Sequence, residues 1–213
     1  MKKILIIFLG IFSLLIINGG YSSIKEDTNS FYSIENQVFN KENFVENGVK
    51  VEYYTNLTKK QENEKIINLI KDKFGVDVLD KGNNIKANIK SIKIDISIYC
   101  VDNNIKVELI LLNNDSNIKT DKLLDIANVI KGNEYTNARV FQFVKGKIDC
   151  VTESIPKSII ENSKQDTMRS LEINNGKVSN IVMKDDKSIN VAQVNYNSGS
   201  YLIIGTPTIF ITY

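Results

Sequence analysis

Histidine and tryptophan are absent from this chain of 213 residues, and cysteine occurs only twice. Without an imidazole there is no Ser-His-Asp or Cys-His nucleophile and no His-ligated zinc site. Cys100 and Cys150 are too few soft ligands to close a metal centre, so neither metal nor cofactor is expected. An excess of charge of one sign is also lacking. There are 27 basic and 25 acidic residues, and Lys2 and Lys3 account for the whole surplus. Nucleic-acid binding needs a basic footprint, because phosphate contacts supply most of its non-specific affinity. None is visible, so no nucleic-acid partner is expected. The abundance of Asn, Ile and Lys reads as the mark of an AT-rich genome rather than of a function.

What is present begins with the N-terminus. Met1-Lys2-Lys3 precedes an apolar run from Ile4 to Ile17, interrupted only by Ser13, and then Asn18-Gly19-Gly20-Tyr21-Ser22-Ser23. A positive start, a short apolar stretch and a small-residue exit form an export signal. The run is short of the roughly 20 residues that cross a bilayer as a helix. Gly20 and Ser22 favour cleavage before Ser23, which makes 1–22 a signal peptide; an uncleaved anchor is the alternative. No cysteine near the exit offers a lipid-anchor site. Either way residues 23–213 are expected outside the cytoplasm, extracellular or in the cell envelope, touching membrane only through a retained leader.

The exported part, about 190 residues, suits one compact unit. Residues 23–30 are polar and read as a flexible lead. Phe31, Ile34 and Val38 recur at helical spacing, and Asn47-Gly48 marks a turn before the alternating strand Val49–Tyr54. Thr58 with Gln61 makes a capping box for a helix with Ile66, Ile67 and Ile70 on its apolar side and Gly75 at its stop. A long alternating run from Ile85 to Val101 follows. Asp102-Asn103-Asn104 then turns it into the strand Ile105–Leu112. A second helix covers about Thr120 to Lys131.

Asn133–Asn137 is the boundary between a first half, 31–132, and a second, 137–213. The second opens with the strand Ala138–Ile148, where Gly146 marks a bulge or close packing. Ser154 and Pro156 start a helix whose stripe includes Ile159, Ile160, Met168 and Leu171, with Gly176 as its stop. Strands over Val178–Lys184, Ile189–Asn197 and Tyr201–Tyr213 end the chain. Both halves read strand–helix–strand–strand, the first closed by a helix. The fold class is α+β, with helices on one face of antiparallel sheet.

Candidate chemistry is sparse. Cys100 continues the period-two series Ile92, Ile94, Ile96, Ile98, and Cys150 follows Ile148 in the same way. A disulfide across this loop would contribute about 4 kcal/mol, whereas two buried thiols would act as small hydrophobes. Ser154-Ile155-Pro156-Lys157 matches Ser-x-x-Lys, but its partner motifs are missing and a helix cap explains the same residues. Carboxylates for glycoside hydrolysis would have to come from Asp77 and Asp80, from Asp185-Asp186, or from Glu52, Glu108 and Asp95. The first two sets lie in turns or loops and the last on polar strand faces, where solvated carboxylates are expected. Tyr53, Tyr54, Tyr99, Tyr196, Tyr201 and Tyr213 all fall on strands, where they serve either as half-buried packing or as a stacking surface.

The most distinctive segment is the C-terminal one, with Asn190, Ala192, Tyr196, Tyr201, Gly205, Thr206, Pro207, Ile209 and Tyr213. Pro207 places its strand at an edge or a bulge. These residues resemble the end of the YwmB family of exported bacterial proteins, whose pattern closes on Gly-[ST]-Pro-x-Ile-x-x-x-Tyr. Gln193-Val194-Asn195 departs from it. The resemblance implies a fold like that of the TATA-box-binding proteins, with two related α+β halves, and the family's tie to sporulating bacteria points to envelope biology. It implies no established activity. The expectation is a non-enzymatic module that binds an envelope protein or a cell-wall polymer through an exposed sheet face or the C-terminal edge strand. The alternative is a cell-wall hydrolase using carboxylates. Nucleic-acid binding, by fold analogy, is opposed by charge and compartment.

Overall fold

The computed structural model describes residues 28–211 apart from 134, 150 and 152–154. The leader 1–22, Cys150, Ser154 and Tyr213 lie outside the described residues. The elements are α1 (Thr28–Val38), β1 (Phe44–Thr55), α2 (Lys59–Phe74), β2 (Val78–Asp80), β3 (Asn84–Ile89), β4 (Ile92–Val101), β5 (Asn104–Asn113) and α3 (Thr120–Lys131). They continue as β6 (Thr136–Ile148), α4 (Lys157–Asn162), β7 (Arg169–Ile173), β8 (Gly176–Val182), β9 (Ser188–Tyr196) and β10 (Gly199–Thr206).

All ten strands form one sheet in the order β2-β3-β4-β5-β1-β6-β10-β9-β8-β7. Every adjacent pair is antiparallel. The expected α+β class with antiparallel sheet is therefore present. From the β1–β6 seam outward, the order is β5, β4, β3, β2 on one side and β10, β9, β8, β7 on the other. Each side is a strand, a helix and a four-stranded meander whose last strand returns beside its first.

Strand alternation gives the sheet two faces, and the four helices cover one of them. Over the first half, Ile66 and Ile70 of α2 and Leu123, Ala127 and Ile130 of α3 pack on Val49, Val51, Ile96 and Leu109. Each such valine, leucine or isoleucine side chain contributes about 1.5–3 kcal/mol by leaving water. The capping box at α2 forms as the spacing predicts, and Gly75 closes the helix at φ 63°. Over the second half, Phe31 and Ile34 of α1 and Ile159 of α4 pack on Val144, Val191, Leu202 and Ile204.

Packing thus corrects the division at 31–132. The helix α1 belongs with the second half, because among the described residues no helix follows β10 and the face bearing Leu202 and Ile204 would otherwise lie bare. The helix also begins at Thr28, inside the lead assigned to 23–30.

A buried carboxylate fastens α1 in place. Glu35, fully buried, accepts from Asn47 Nδ2 at 2.8 Å, Thr120 N at 3.1 Å and Thr120 Oγ1 at 2.7 Å. Thr120 opens α3, whose N-cap Lys119 supplies no side-chain bond. Glu35 therefore caps α3 from another helix, satisfying a first-turn N–H that would stay orphaned. Asn47 also donates to Ile118 O at 2.8 Å and accepts from Asn113 Nδ2 at 2.9 Å.

Several local expectations need correction. The run 85–101 is two strands, folded at Lys90-Ser91 with Lys90 at φ 55°. A lysine in the left-handed region gives no turn signal. The helix placed from Ser154 to Leu171 is only Lys157–Asn162, with Pro156 at its N-cap position. Residues 169–173 pair with β8 instead, because Asn174-Asn175-Gly176 closes a hairpin. β10 is an interior strand between β6 and β9, and the edges are β2 and β7. Pro207 lies past the end of β10, so no ladder donor is lost. Cys100 keeps the phase of the isoleucines but sits beyond the core, exposed to solvent. It is no buried hydrophobe, and pairing with Cys150 falls outside the described residues.

Replacing Glu35 by Ala will leave three donors without their acceptor and cost about 3 kcal/mol. Urea unfolding will show a lower midpoint with an unchanged slope.

Candidate binding surface

The face of the sheet turned away from the helices differs between its two halves. Over the second half the chain covers it with its own C-terminal segment. After β10 the chain turns at Pro207 and lays Ile209, Phe210 and Ile211 over Phe143, Ala192, Val194 and Ile203. Phe210 meets Phe143 edge to face, with ring centroids 5.1 Å apart. Gly205 is required beneath this strap, since a Cβ there would lie 2.8 Å from Ile209 Cγ1. Two bonds hold the turn: Asn190 Nδ2 donates to Pro207 O at 2.5 Å and Thr206 Oγ1 to Ser188 O at 3.0 Å.

The C-terminal pattern residues are thereby brought together by position. Asn190, Gly205, Thr206, Pro207 and Ile209 build the turn of the strap, and Ala192 lies beneath it. Tyr196 and Tyr201 lie 5.7 Å apart on the same face, with Lys145 Nζ at 5.3 and 4.6 Å from their ring centroids. Burial, and then Tyr201, raise the Tyr196 phenol above its ordinary pKa. Its buried hydroxyl has no hydrogen-bond partner among the described residues.

Over the first half no segment among the described residues covers this face, and its centre is a square of charges. Register places Glu52 of β1 directly opposite Glu108 of β5. Like charges so placed repel, and two lysines separate them. Lys50 Nζ lies 2.5 Å from Glu52 Oε1 and 3.8 Å from Glu108 Oε2, while Lys106 Nζ is 3.1 Å from Glu52 and 3.0 Å from Glu108. Tyr99 donates its hydroxyl to Glu108. These carboxylates were expected to be solvated, yet their side chains are only 11% and 25% exposed.

Burial pushes the Glu52 carboxyl up, but hydrogen bonds and charge from Lys50 and Lys106 outweigh it and hold it below the ordinary value. Glu108 is likewise raised by burial and held low by Tyr99, Lys106 and Lys50. Burial, then Glu108, push the Tyr99 phenol up to about 12. Both carboxylates stay ionised and spent on lysines. A general acid for glycoside cleavage needs the opposite shift. Glu46 is raised by burial against the pull of Lys145 and Lys93, but it is six residues along β1 from Glu52, about 20 Å at strand rise. Asp185 and Asp186 occupy a turn, with Asp186 at φ 67°. Asp80, expected in a loop, is on β2 and accepts from Gly82 N at 2.8 Å.

Beside the square, at the ends of β1, β4 and β6, lies a groove of about 420 Å³ lined by Tyr54, Val101, Asp102, Asn104, Thr136, Asn137 and Arg139. The hairpin Asp102-Asn103, at φ 48° and 64°, forms one wall as its sequence predicts. A register shift between Glu52 and Tyr54 in the β1–β6 pairing, with Asn137 at φ 51°, forms the other. Nothing in the sequence pointed to this groove, because its walls come from strands far apart in the chain. Tyr53 faces the helices instead and donates to buried Glu62 at 2.8 Å. Among the described residues there is no group of three or more potential metal ligands, and no helix is long and apolar enough to cross a membrane.

No family model and no curated protein matches this chain. Among solved structures it is similar to DynU16, a protein of the dynemicin biosynthetic locus, at 8% identity and a TM-score of 0.28. That match covers 74% of this chain and 85% of the other.

Removing the partnerless hydroxyl by Tyr196→Phe will leave stability unchanged or raise it by about 1 kcal/mol in thermal unfolding. The charge square has a definite pH signature. Glu52 and Glu108 are lowered, so their stabilisation is complete above the ordinary carboxylate value and is lost as pH falls through their lowered values. Glu46 is raised and acts in the opposite sense, losing its contribution as pH rises through its raised value. Lys106→Met will therefore cost about 1–3 kcal/mol in urea at about pH 7. The difference from the unsubstituted protein will shrink as pH falls through the lowered values of the two carboxylates.

Proposed function

We propose that the protein is an exported, non-enzymatic binding module of the cell envelope, of YwmB type, whose open first-half sheet face grips a protein partner or a cell-wall polymer. In this reading the sheet is a saddle like that of the TATA-box-binding proteins, and the two halves are related repeats. The strand order, repeated outward from β1 and from β6, supports it. The grouping of Asn190, Gly205, Thr206, Pro207 and Ile209 around one turn also fits, since a shared structural device accounts for a shared C-terminal pattern.

The observation that carries the binding role is the asymmetry of the open face. The second half seals its own apolar surface with the C-terminal strap. The first half leaves an ordered, half-buried array of Lys50, Glu52, Lys106, Glu108 and Tyr99 facing outward, with a groove at its end. An array held in place on an open sheet suits recognition by complementary charge. The hydrolase alternative is disfavoured, because Glu52 and Glu108 are both held ionised and bridged by lysines.

The test is photo-crosslinking in intact cells from a reactive side chain at Ile110, on the open face, and at Val129, exposed on α3. Adducts from position 110 and none from position 129 are expected, with the protein in the envelope fraction and its N-terminus at Ser23. Adducts from position 129 alone, or unprocessed protein confined to the cytosol, would overturn the reading.

A further inference from the structure

Arg139 stands out by what it does not do. The chain carries 25 lysines and only two arginines, Arg139 and Arg169. Register sets Arg139 of β6 directly opposite Glu52 of β1, where an ion pair would normally form. Glu52 is already committed, to Lys50 at 2.5 Å and to Lys106 at 3.1 Å. The guanidinium lies over the Phe141 ring instead, 5.1 Å from its centroid, and has no ion-pair partner among the described residues. Lys50 approaches the same ring at 5.4 Å. Arg139 is thus an oriented cation without a counter-ion, on the wall of the groove beside the square.

The rest of the groove supplies unspent polar groups. The hydroxyls of Tyr54 and Thr136 and the amide of Asn137 make no side-chain hydrogen bond among the described residues. Asn104 Nδ2 donates to Asp102 O at 3.2 Å, and the Asp102 carboxylate stands at the rim as an acceptor. The bulge at Asn137 and the left-handed residues Asp102 and Asn103 shape both walls. Bulges and left-handed non-glycine residues concentrate at functional sites, where they re-aim side chains.

We infer that this groove binds an anionic, hydroxyl-rich polymer segment, with Arg139 taking its carboxylate or phosphate. The guanidinium fork matches either anion in bidentate fashion. Asn137, Thr136, Tyr54 and Asp102 then bond the neighbouring hydroxyls, and the half-buried Tyr54 ring offers a stacking face. This deepens the proposed envelope role by naming the ligand class, and it rests on that reading.

The test is titration of the exported chain with poly(glycerol phosphate), polygalacturonate, neutral dextran and single-stranded DNA, followed by calorimetry. Binding to one or both of the first two and not to dextran is expected, and which of them binds identifies phosphate or carboxylate as the anion. Arg139→Gln will weaken it about ten- to hundredfold, Arg139→Lys less, and Lys147→Gln, on the same strand but outside the groove, not at all. Unfolding curves of the variants will coincide with that of the unsubstituted protein, because Arg139 is exposed. Equal binding by Arg139→Gln, equal binding of dextran, or DNA bound as tightly as the other polyanions would overturn the inference. Those results would leave the crosslinking outcome at position 110 untouched, so the two proposals fail separately.

Discussion

Where β1 meets β6, Asn47 to Glu52 pair with Val144 to Arg139, and that seam joins two meanders into one sheet with two continuous faces. The rest of the architecture answers the demand those faces create. An apolar sheet face must be covered, and the chain covers its faces in two ways. Helices take one face of both halves. On the other face, the strap 207–211 covers the second half only.

The helix layer shows how few interactions hold such an arrangement together. In the first half α3 follows β5 directly and folds back over it. Among the described residues the second half has no such helix after β10, and α1 fills that place from the other end of the chain. The carboxylate of Glu35 joins the layers: it caps α3, bonds the β1 residue Asn47, and sits on a helix packed over the second half. A buried carboxylate is tolerable only when its hydrogen-bonding capacity is met, and here three donors converge on it. The position of α1 is therefore chemically specified as well as packed.

The open face follows from the same logic. With the strap over Phe143 and Ile203, the polar half of the sheet is left to solvent, and its charges settle into pairs set by register. Glu52 and Glu108 are opposed by pairing, Lys50 and Lys106 move between them, and Arg139 is left over. The unpaired guanidinium is thus a consequence of strand register and of competition among cations for two carboxylates.

Local chemistry in the chain determined the elements with strong internal signals. The capping box at Thr58 and Gln61, the apolar stripe of 120–131 and the hairpin at Asp102-Asn103 formed where the spacing placed them, because short-range hydrogen bonds and backbone preferences decide such features. Composition likewise excludes imidazole chemistry, since the chain has no histidine. The turn at Lys90-Ser91 and the hairpin at 169–182 are not legible in the sequence, since a left-handed lysine and a short polar strand carry no local signature. Only the tertiary structure decided which half α1 covers, that β10 lies inside the sheet, that the C-terminal pattern builds a strap, and which charges face one another. Those outcomes depend on contacts between residues far apart in the chain, whose free energy no short stretch of sequence contains.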